Sequence, residues 1–577
     1  MQFIAVVAAD DHRIDHSEHV IMRTTISIFA FAVFSFAPAA PVPKMESSDW
    51  PCFGGDGSRN NANHFARNLP HDFSPSEDKP LNLLWQVDLG TRAYGQAVIA
   101  NGYILVGTNN ERPRNTRDQI RNQDGEIESI DKGILICFEA ETGKFAWQAV
   151  HDKLPGGIGN DWPRQGIVST PCIDGNRVYY MSNRCELVCA DLKGFADGNQ
   201  GIQKEQYDDP TDADFLWRND IIKDYGVFPH NIAACSPLIV NDAVFIVTGN
   251  GVDQGHSMLP SPDAPSFMAF DKLTGKLLWK DNSPGKNIMH GQWSSPSYTA
   301  KPVPQVIFPG GDGWIRAFEP STGKLLWKFD GNPKGTEYKI GGDGDKSDFI
   351  AMPVIHDGKM FIGTGQDPEH FSGVAHLWCV DLAKAVEFGK TNKNADVSPV
   401  GNDFDPKAKA NQRSALEWHY GGAENRKHAF HDFSFGRTLS NVVVVGDVLY
   451  ACEIAGVVHC INAKTGKRHW VYDVRSSIWA TPLYAEGKVY VPSEGGDLFV
   501  FDHMPKPFTL DTNEEMAKTP TQKAANARAK VVKLELEKRL NLKEIEFDQP
   551  IRSAPTAVGN VLYVKTESKL YAFQLKR

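Results

Sequence analysis

Short apolar runs alternating with single polar residues recur along most of the chain, and they stop at the same signals: an Asp or Asn turn, a Thr-Gly-Lys turn, or a Pro. "FMAFDKLTGKLLW" from Phe267 and "IRAFEPSTGKLLW" from Ile315 are nearly one phrase. "LICFEAETGKFAW", "LVCADLKGF", "LWCVDLAK", "VHCINAKTGKRHW", "LFVFDHM" and the C-terminal "LYAFQLKR" bring the copies to eight. Ahead of most copies a Pro opens a strand pair, at Thr170-Pro171, Ser236-Pro237, Ser295-Pro296, Met352-Pro353, Thr481-Pro482 and Ala554-Pro555. Alternating apolar positions bounded by Gly and Asp predict half-buried antiparallel strands. Each unit reads as four strands, so eight units predict an all-β, eight-bladed propeller.

The tryptophans count the blades independently. Trp85, Trp147, Trp217, Trp279, Trp327, Trp418 and Trp470 fall at one repeat position, with Ile545 in "KEIEF" taking the eighth place. Trp85 precedes any complete repeat, and "LYAFQLKR" ends without an outer strand. Pairing the N-terminal strand with the C-terminal blade closes the ring and leaves no exposed edges between the first and last blades. A buried indole covers enough surface to contribute about 4–6 kcal/mol of gross transfer free energy, so these residues are read as packing groups. Gly143, Gly275, Gly323 and Gly466 centre the Thr-Gly turns, where a positive φ is expected.

Composition adds limits. A 577-residue chain that is 41% hydrophobic with 50 glycines has material for a large, turn-rich core. A net charge of −10 argues against a nucleic-acid partner, because phosphate surfaces attract Lys and Arg. Met22-Arg23, the apolar run Ile26 to Phe36 and then Ala37-Pro38-Ala39 have the order of a secretory signal, too short to span a membrane. Residues 1–39 are therefore read as an N-terminal extension plus signal peptide, with translation starting at Met22 and an exported, periplasmic or extracellular product. Residues 40–80 form an N-terminal segment and 81–577 the propeller, with insertions at about 110–132, 194–214, 383–414 and 503–543.

Cys137, Cys189, Cys379 and Cys460 occupy the repeat position that holds Ala269, Ala317 and Ala572 in other copies, so they are small core fillers. Cys52, Cys172, Cys185, Cys235 and Cys452 are outside that register, and an exported protein can oxidise a pair of them. "GGDGDKSDF" with Asp343, Asp345 and Ser347 lacks the later ligands of a Ca²⁺ loop and reads as a solvated turn. "RKHAFHDFSFGR", with His428, His431, Asp432 and Arg437, reads as hydrogen bonding between blades. The helix formers of "TQKAANARAKVVKLELEKRLNLK" predict a surface helix in the last insertion.

"AFDKLTGKLLW" and its relatives resemble the tryptophan-docking motif of the pyrroloquinoline-quinone-type (PQQ-type) propellers, and "DWPCFGGDGSRN" from Asp49 resembles the opening of those proteins. The superfamily includes quinoprotein alcohol dehydrogenases and a scaffold propeller of outer-membrane-protein assembly. In the enzymes the resemblance implies a quinone and Ca²⁺ on the propeller axis, held by a Glu, an Asn, a catalytic Asp, a basic residue, a floor Trp and a disulfide between adjacent cysteines. In this chain Asn250 in "TGNG" matches the metal-binding Asn, but Ile232 stands at the floor, Asn183 or Arg184 at the Glu, Gly291 and Ser294 in the catalytic-Asp segment "HGQWSSP", and Gly310 or Gly311 at the basic position. No two cysteines are adjacent. A hard Ca²⁺ needs six or more oxygens, and alcohol oxidation needs a base at the substrate hydroxyl.

The sequence therefore predicts a noncatalytic binding or scaffold module, monomeric, whose top face and insertions meet a protein, a polysaccharide or a small ligand, with no catalytic or metal residue assigned and no cofactor. The alternative is a divergent PQQ-dependent alcohol or sugar dehydrogenase, with PQQ and Ca²⁺ as cofactors and Asn250, Arg184, His290 and Asp312 as the axial residues that hold them.

Overall fold

The computed structural model describes residues 49–576 apart from 334, 367, 371–372, 400–412, 423–433 and 511–521. The signal segment, the start at Met22, and His428, His431 and Asp432 lie outside the described residues. Within them the chain folds into eight antiparallel sheets of a propeller, built in sequence order. The third is representative: Leu238–Val240, Ala243–Val247, Phe267–Asp271 and Leu277–Asp281 pair consecutively. The first strand of each sheet lies toward the axis, where successive first strands touch one another. The eight blades span 98–152, 172–220, 238–281, 297–330, 354–421, 443–473, 483–546 and 556–574. Leu83–Asp88 supplies the outer strand of the eighth, with Trp85 opposite Ala572, so the ring closes as the sequence predicts.

The repeat has a steric reason. In seven blades the indole lies directly across from the smallest residue of the neighbouring strand: Trp147 from Cys137, Trp217 from Cys189, Trp279 from Ala269, Trp327 from Ala317, Trp418 from Cys379, Trp470 from Cys460 and Trp85 from Ala572. A larger side chain there would compete with the indole for space. Each ring then meets the next blade. Trp217 Nε1 donates to Lys272 O at 3.1 Å, Trp279 to Pro320 O at 2.8 Å and Trp418 to Ala463 O at 2.8 Å. A Cβ on Gly143, Gly275, Gly323 or Gly466 would stand 2.7–2.8 Å from the indole of Trp85, Trp217, Trp279 or Trp418. Gly275 also has φ +69°, so Gly275→Ala combines strain with overpacking and is expected to cost about 1–3 kcal/mol. Urea unfolding of the variant checks this; an unchanged midpoint would separate the turn from interblade packing.

The seventh blade departs from the expectation. Val500 occupies the small-residue position and faces Lys543, while Ile545 lies opposite Leu498, two residues away. Ile545 does not take the eighth indole place. The space is filled instead by Ala66, Leu69 and Phe73 of the N-terminal segment, with Phe73 and Phe573 ring centroids 4.7 Å apart. The helix Gln522–Arg539 differs in kind from a surface decoration: Val532, Leu536 and Leu540, one stripe at four-residue spacing, are buried with Trp470 and Phe501, whereas Val531 and Leu534 are exposed. The first two insertions are tied together, because Arg117 pairs with both Asp209 and Asp212.

Two devices hold the inner ends of the blades. The hydroxyl or amide before the recurrent Pro accepts the backbone N–H of its counterpart in the preceding blade: Gln96 N–H to Thr170 Oγ1 (2.8 Å), Thr170 to Ser236 Oγ (3.0 Å), Ser236 to Ser295 Oγ (2.9 Å), Met352 to Asn441 Oδ1 (2.8 Å) and Asn441 to Thr481 Oγ1 (3.0 Å). Below this girdle, residues 50–63 run a circuit across the inner strands. Trp50 exchanges backbone hydrogen bonds with Ile99, Pro51 O accepts from Ile173, Gly57 O from Tyr298 and Ser58 O from Ile355. Asn60 pairs with Val444 through both amide atoms, Ala62–Asn63 runs parallel to Leu483–Ala485, and Asn63 Nδ2 reaches Ala557 O at 2.6 Å. This strap ties the inner strands of successive blades together. It also brings the Cys52 and Cys172 thiols into hydrogen-bonding contact, which lowers the pKa of Cys52 and raises that of Cys172. All nine cysteines are buried, and none is joined in a disulfide.

Candidate functional site

The segments that lead into the eight inner strands face the axis. The residue three positions before each recurrent Pro, or before Ala97 and Val442 where Pro is replaced, points inward: Tyr94, Val168, Ala234, Trp293, Ile350, Leu439, Trp479 and Arg552, one per blade. Together with Trp162, Gln165, Asn231 and Glu369 above and Phe53 of the strap, they enclose a chamber of about 410 Å³, within the range that holds small organic molecules.

The chamber is aromatic. Tyr94 and Trp479 stack with centroids 6.3 Å apart and planes 30° apart, and the Arg552 guanidinium lies over both rings, 4.9 Å from that of Trp479. Tyr94 donates its hydroxyl to Gln165 Oε1 at 2.7 Å, and burial pushes the pKa of that hydroxyl up. Burial works against the charge of Arg552, but Glu494 (2.5 Å) and Glu567 outweigh it and hold the guanidinium above its ordinary range. Asn441 accepts from Met352 through Oδ1, whereas its buried Nδ2 in the chamber wall has no partner among the described residues.

None of the four axial residues read from the sequence lines this chamber. Asn250 is fully buried, accepting from Phe228 N–H at 3.0 Å and donating to Ser261 O at 2.8 Å. Arg184 donates to the carbonyls of Asp152 and Lys153. Asp312 is paired with Arg316 at 2.6 Å. His290 alone joins a cluster: its ring lies 4.5 Å from those of His230 and His256 and 5.2 Å from that of Trp293. Of the segment read as interblade hydrogen bonding, the described part includes Arg437, whose guanidinium donates to His370 O at 2.9 Å. Trp293 and Trp479 sit three residues before a Pro, the sequence spacing shared by the axial residues of six blades.

The fit to a calcium-bound quinone is partial. The stacked aromatics and the unpartnered Asn441 amide suit a flat ring with an acceptor at its edge. Glu369 is the one acidic side chain in the wall, and Arg552 is already neutralised by two carboxylates. Neither a Ca²⁺ cage nor a counter-charge for a polycarboxylate is present among the lining residues, so no step through the Ca²⁺-bound cofactor is derived.

The family described as outer membrane protein assembly factor BamB matches residues 209–386 and 414–505. No curated protein matches the chain significantly. Among solved structures, a europium-containing methanol dehydrogenase is 10% identical, with 92% of this chain and 99% of that chain covered and a TM-score of 0.52. BamB from Moraxella catarrhalis is 12% identical over 86% of this chain and 98% of that one, TM-score 0.45. The quinohemoprotein alcohol dehydrogenase from Comamonas testosteroni is 12% identical over 92% and 81%, TM-score 0.43. At these identities the likeness is one of fold.

Proposed function

We propose that this chain, an eight-bladed propeller of the PQQ-like fold family, binds a flat organic molecule of quinone size in its axial chamber and works on it as a divergent oxidoreductase. The fold is shared by noncatalytic scaffolds and by quinoprotein dehydrogenases. The observation that favours the second kind is the chamber: a concave site walled by Tyr94, Trp293 and Trp479, with Phe53 of the strap also in its wall. Propeller blades surround a central channel in general, so what supports this reading is the aromatic lining and the Asn441 amide in its wall. In this reading the aromatics clamp the ring and Asn441 Nδ2 orients it. The chain is exported, as the segment before Ala40 indicates, and acts outside the cytoplasm. Among the described residues no helix is long and apolar enough to cross a membrane.

Titrating the purified protein with PQQ, with and without Ca²⁺, and with a neutral naphthoquinone tests the reading. Saturable quenching of tryptophan fluorescence is expected, weakened about 10- to 100-fold by Trp479→Ala, together with reduction of an electron-accepting dye when alcohols or sugars are supplied. Binding without dye reduction would return the chain to the noncatalytic module; no binding of either quinone would remove the chamber reading altogether.

A further inference from the structure

Three histidines that are far apart in sequence reach one point. His230 follows the second blade's outer strand, His256 sits in the loop of the third blade, and His290 leads into the fourth. One ring nitrogen from each lies within 4.8 Å of the other two. His256 Nε2 and His290 Nε2 are 3.3 Å apart, and the ring centroids are separated by 4.5–5.0 Å. Two nitrogens bound tetrahedrally at about 2.0–2.1 Å from one ion stand roughly 3.3 Å apart. His230 and His290 are buried, and His256 is half-exposed, which gives an ion a way in.

The backbone around the cluster is shaped for this approach. Gly251 lies between the two buried histidines: a Cβ there would be 2.4 Å from His290 O and 2.6 Å from His230 Cβ. Gly341 packs against His256, where a Cβ would come within 2.9 Å of the histidine's own Cβ. His256 takes φ +52°, a left-handed conformation, in a tight loop that Asp253 closes by accepting from Ser257 and Met258 N–H at 2.8 and 2.9 Å. His230 Nδ1 is 2.7 Å from Val252 O, and a hydrogen bond there makes Nδ1 the protonated nitrogen and turns the Nε2 lone pair toward the cluster. His370 stands behind His290, ring centroids 5.7 Å apart, with its Nε2 3.4 Å from Asp343.

We propose that His230, His256 and His290 form a binding site for a borderline divalent transition metal, of which Zn²⁺ is the type. Three imidazole ligands suit Zn²⁺, Co²⁺, Ni²⁺ or Cu²⁺ and select against a hard Ca²⁺, which wants oxygen. Three protein ligands leave a fourth position for water or an exogenous ligand, as in catalytic rather than structural zinc sites. The site adjoins the chamber wall: Asn231 and Trp293 both line the chamber, and Trp293 Nε1 donates to His230 O at 3.2 Å. Metal binding here does not depend on the quinone reading, since it needs only the histidines.

Tag-free full-length protein, stripped with a chelator, is titrated with Zn²⁺ and separately with Co²⁺. The expected result is one Zn²⁺ per chain at micromolar affinity or tighter, Co²⁺ absorption bands of a four- or five-coordinate nitrogen site, and at least a 100-fold loss of affinity in His256→Ala and in His290→Ala. The half-exposed position of His256 makes His256→Ala the variant that keeps the fold, and its unchanged thermal midpoint without metal checks that. His419→Ala, which alters the separate His376–His419 contact, is the control that leaves affinity intact. Wild-type affinity no tighter than that of His256→Ala, or loss of binding in His419→Ala with retention in His256→Ala, would overturn the assignment.

Discussion

Arg59→Ala is expected to lower the unfolding free energy by about 3–5 kcal/mol, read as a shifted midpoint in chemical denaturation. Arg59 is completely buried in the strap beneath the chamber. Its guanidinium donates to Pro296 O at 2.9 Å, Ser236 O at 3.0 Å and Pro237 O at 3.2 Å, so one side chain satisfies carbonyls at the inner ends of the third and fourth blades. Truncation strands these acceptors away from water, at about 1–3 kcal/mol for each buried group left unpaired. Arg59→Lys keeps the charge but cannot span three acceptors with one ammonium, and should recover only part of the loss. Because Phe53 of the same strap lines the chamber, the alanine variant should also weaken quinone binding. A midpoint within about 1 kcal/mol of wild type would mean that the strap is decoration rather than a structural tie.

Lys565 gives the second large effect. It is fully desolvated and donates to Gly95 O, and burial lowers its pKa from 10.5 to about 7. The unfolded chain therefore binds a proton that the folded chain does not between about pH 7 and 10.5, so stability rises with pH across that window. Below pH 7 the folded protein bears the whole penalty, about 4–5 kcal/mol for a shift of that size. Lys565→Met removes it: the variant should be more stable than wild type at pH 6, with the advantage shrinking toward zero by pH 10. Unfolding free energies of both proteins from pH 6 to 10 test this, and parallel curves would show that Lys565 stays charged in the fold.

Much of the architecture was legible because it repeats. A motif copied eight times reveals its own register, and the interchange of Cys and Ala at one position indicated a small core residue there, which the structure sets opposite an indole, as Cys137 lies opposite Trp147. The eighth indole position failed for a physical reason: Ile545 resembled the motif in spacing, but Phe73, Leu69 and Ala66, more than 400 residues away, fill that interface. The surface helix expected in the last insertion buries one face, because Val532 and Leu536 pack inward while Val531 and Leu534 stay exposed. The chamber was not legible in the same way. Trp293 and Trp479 were not read as axial residues; matching to quinoprotein positions led instead to Asn250 and Asp312, whose side chains are engaged by neighbouring protein groups.

By itself the sequence determined the number of sheets, their strand pattern and the closing pair, because these follow from short-range periodicity. Only the tertiary structure decided that Cys52 meets Cys172, that residues 50–63 girdle the inner strands and that His230, His256 and His290 converge. These meetings depend on the angle at which one blade follows another and on irregular loops with positive φ. No periodic signal encodes either, so ring closure had to bring the residues together before their chemistry could be read.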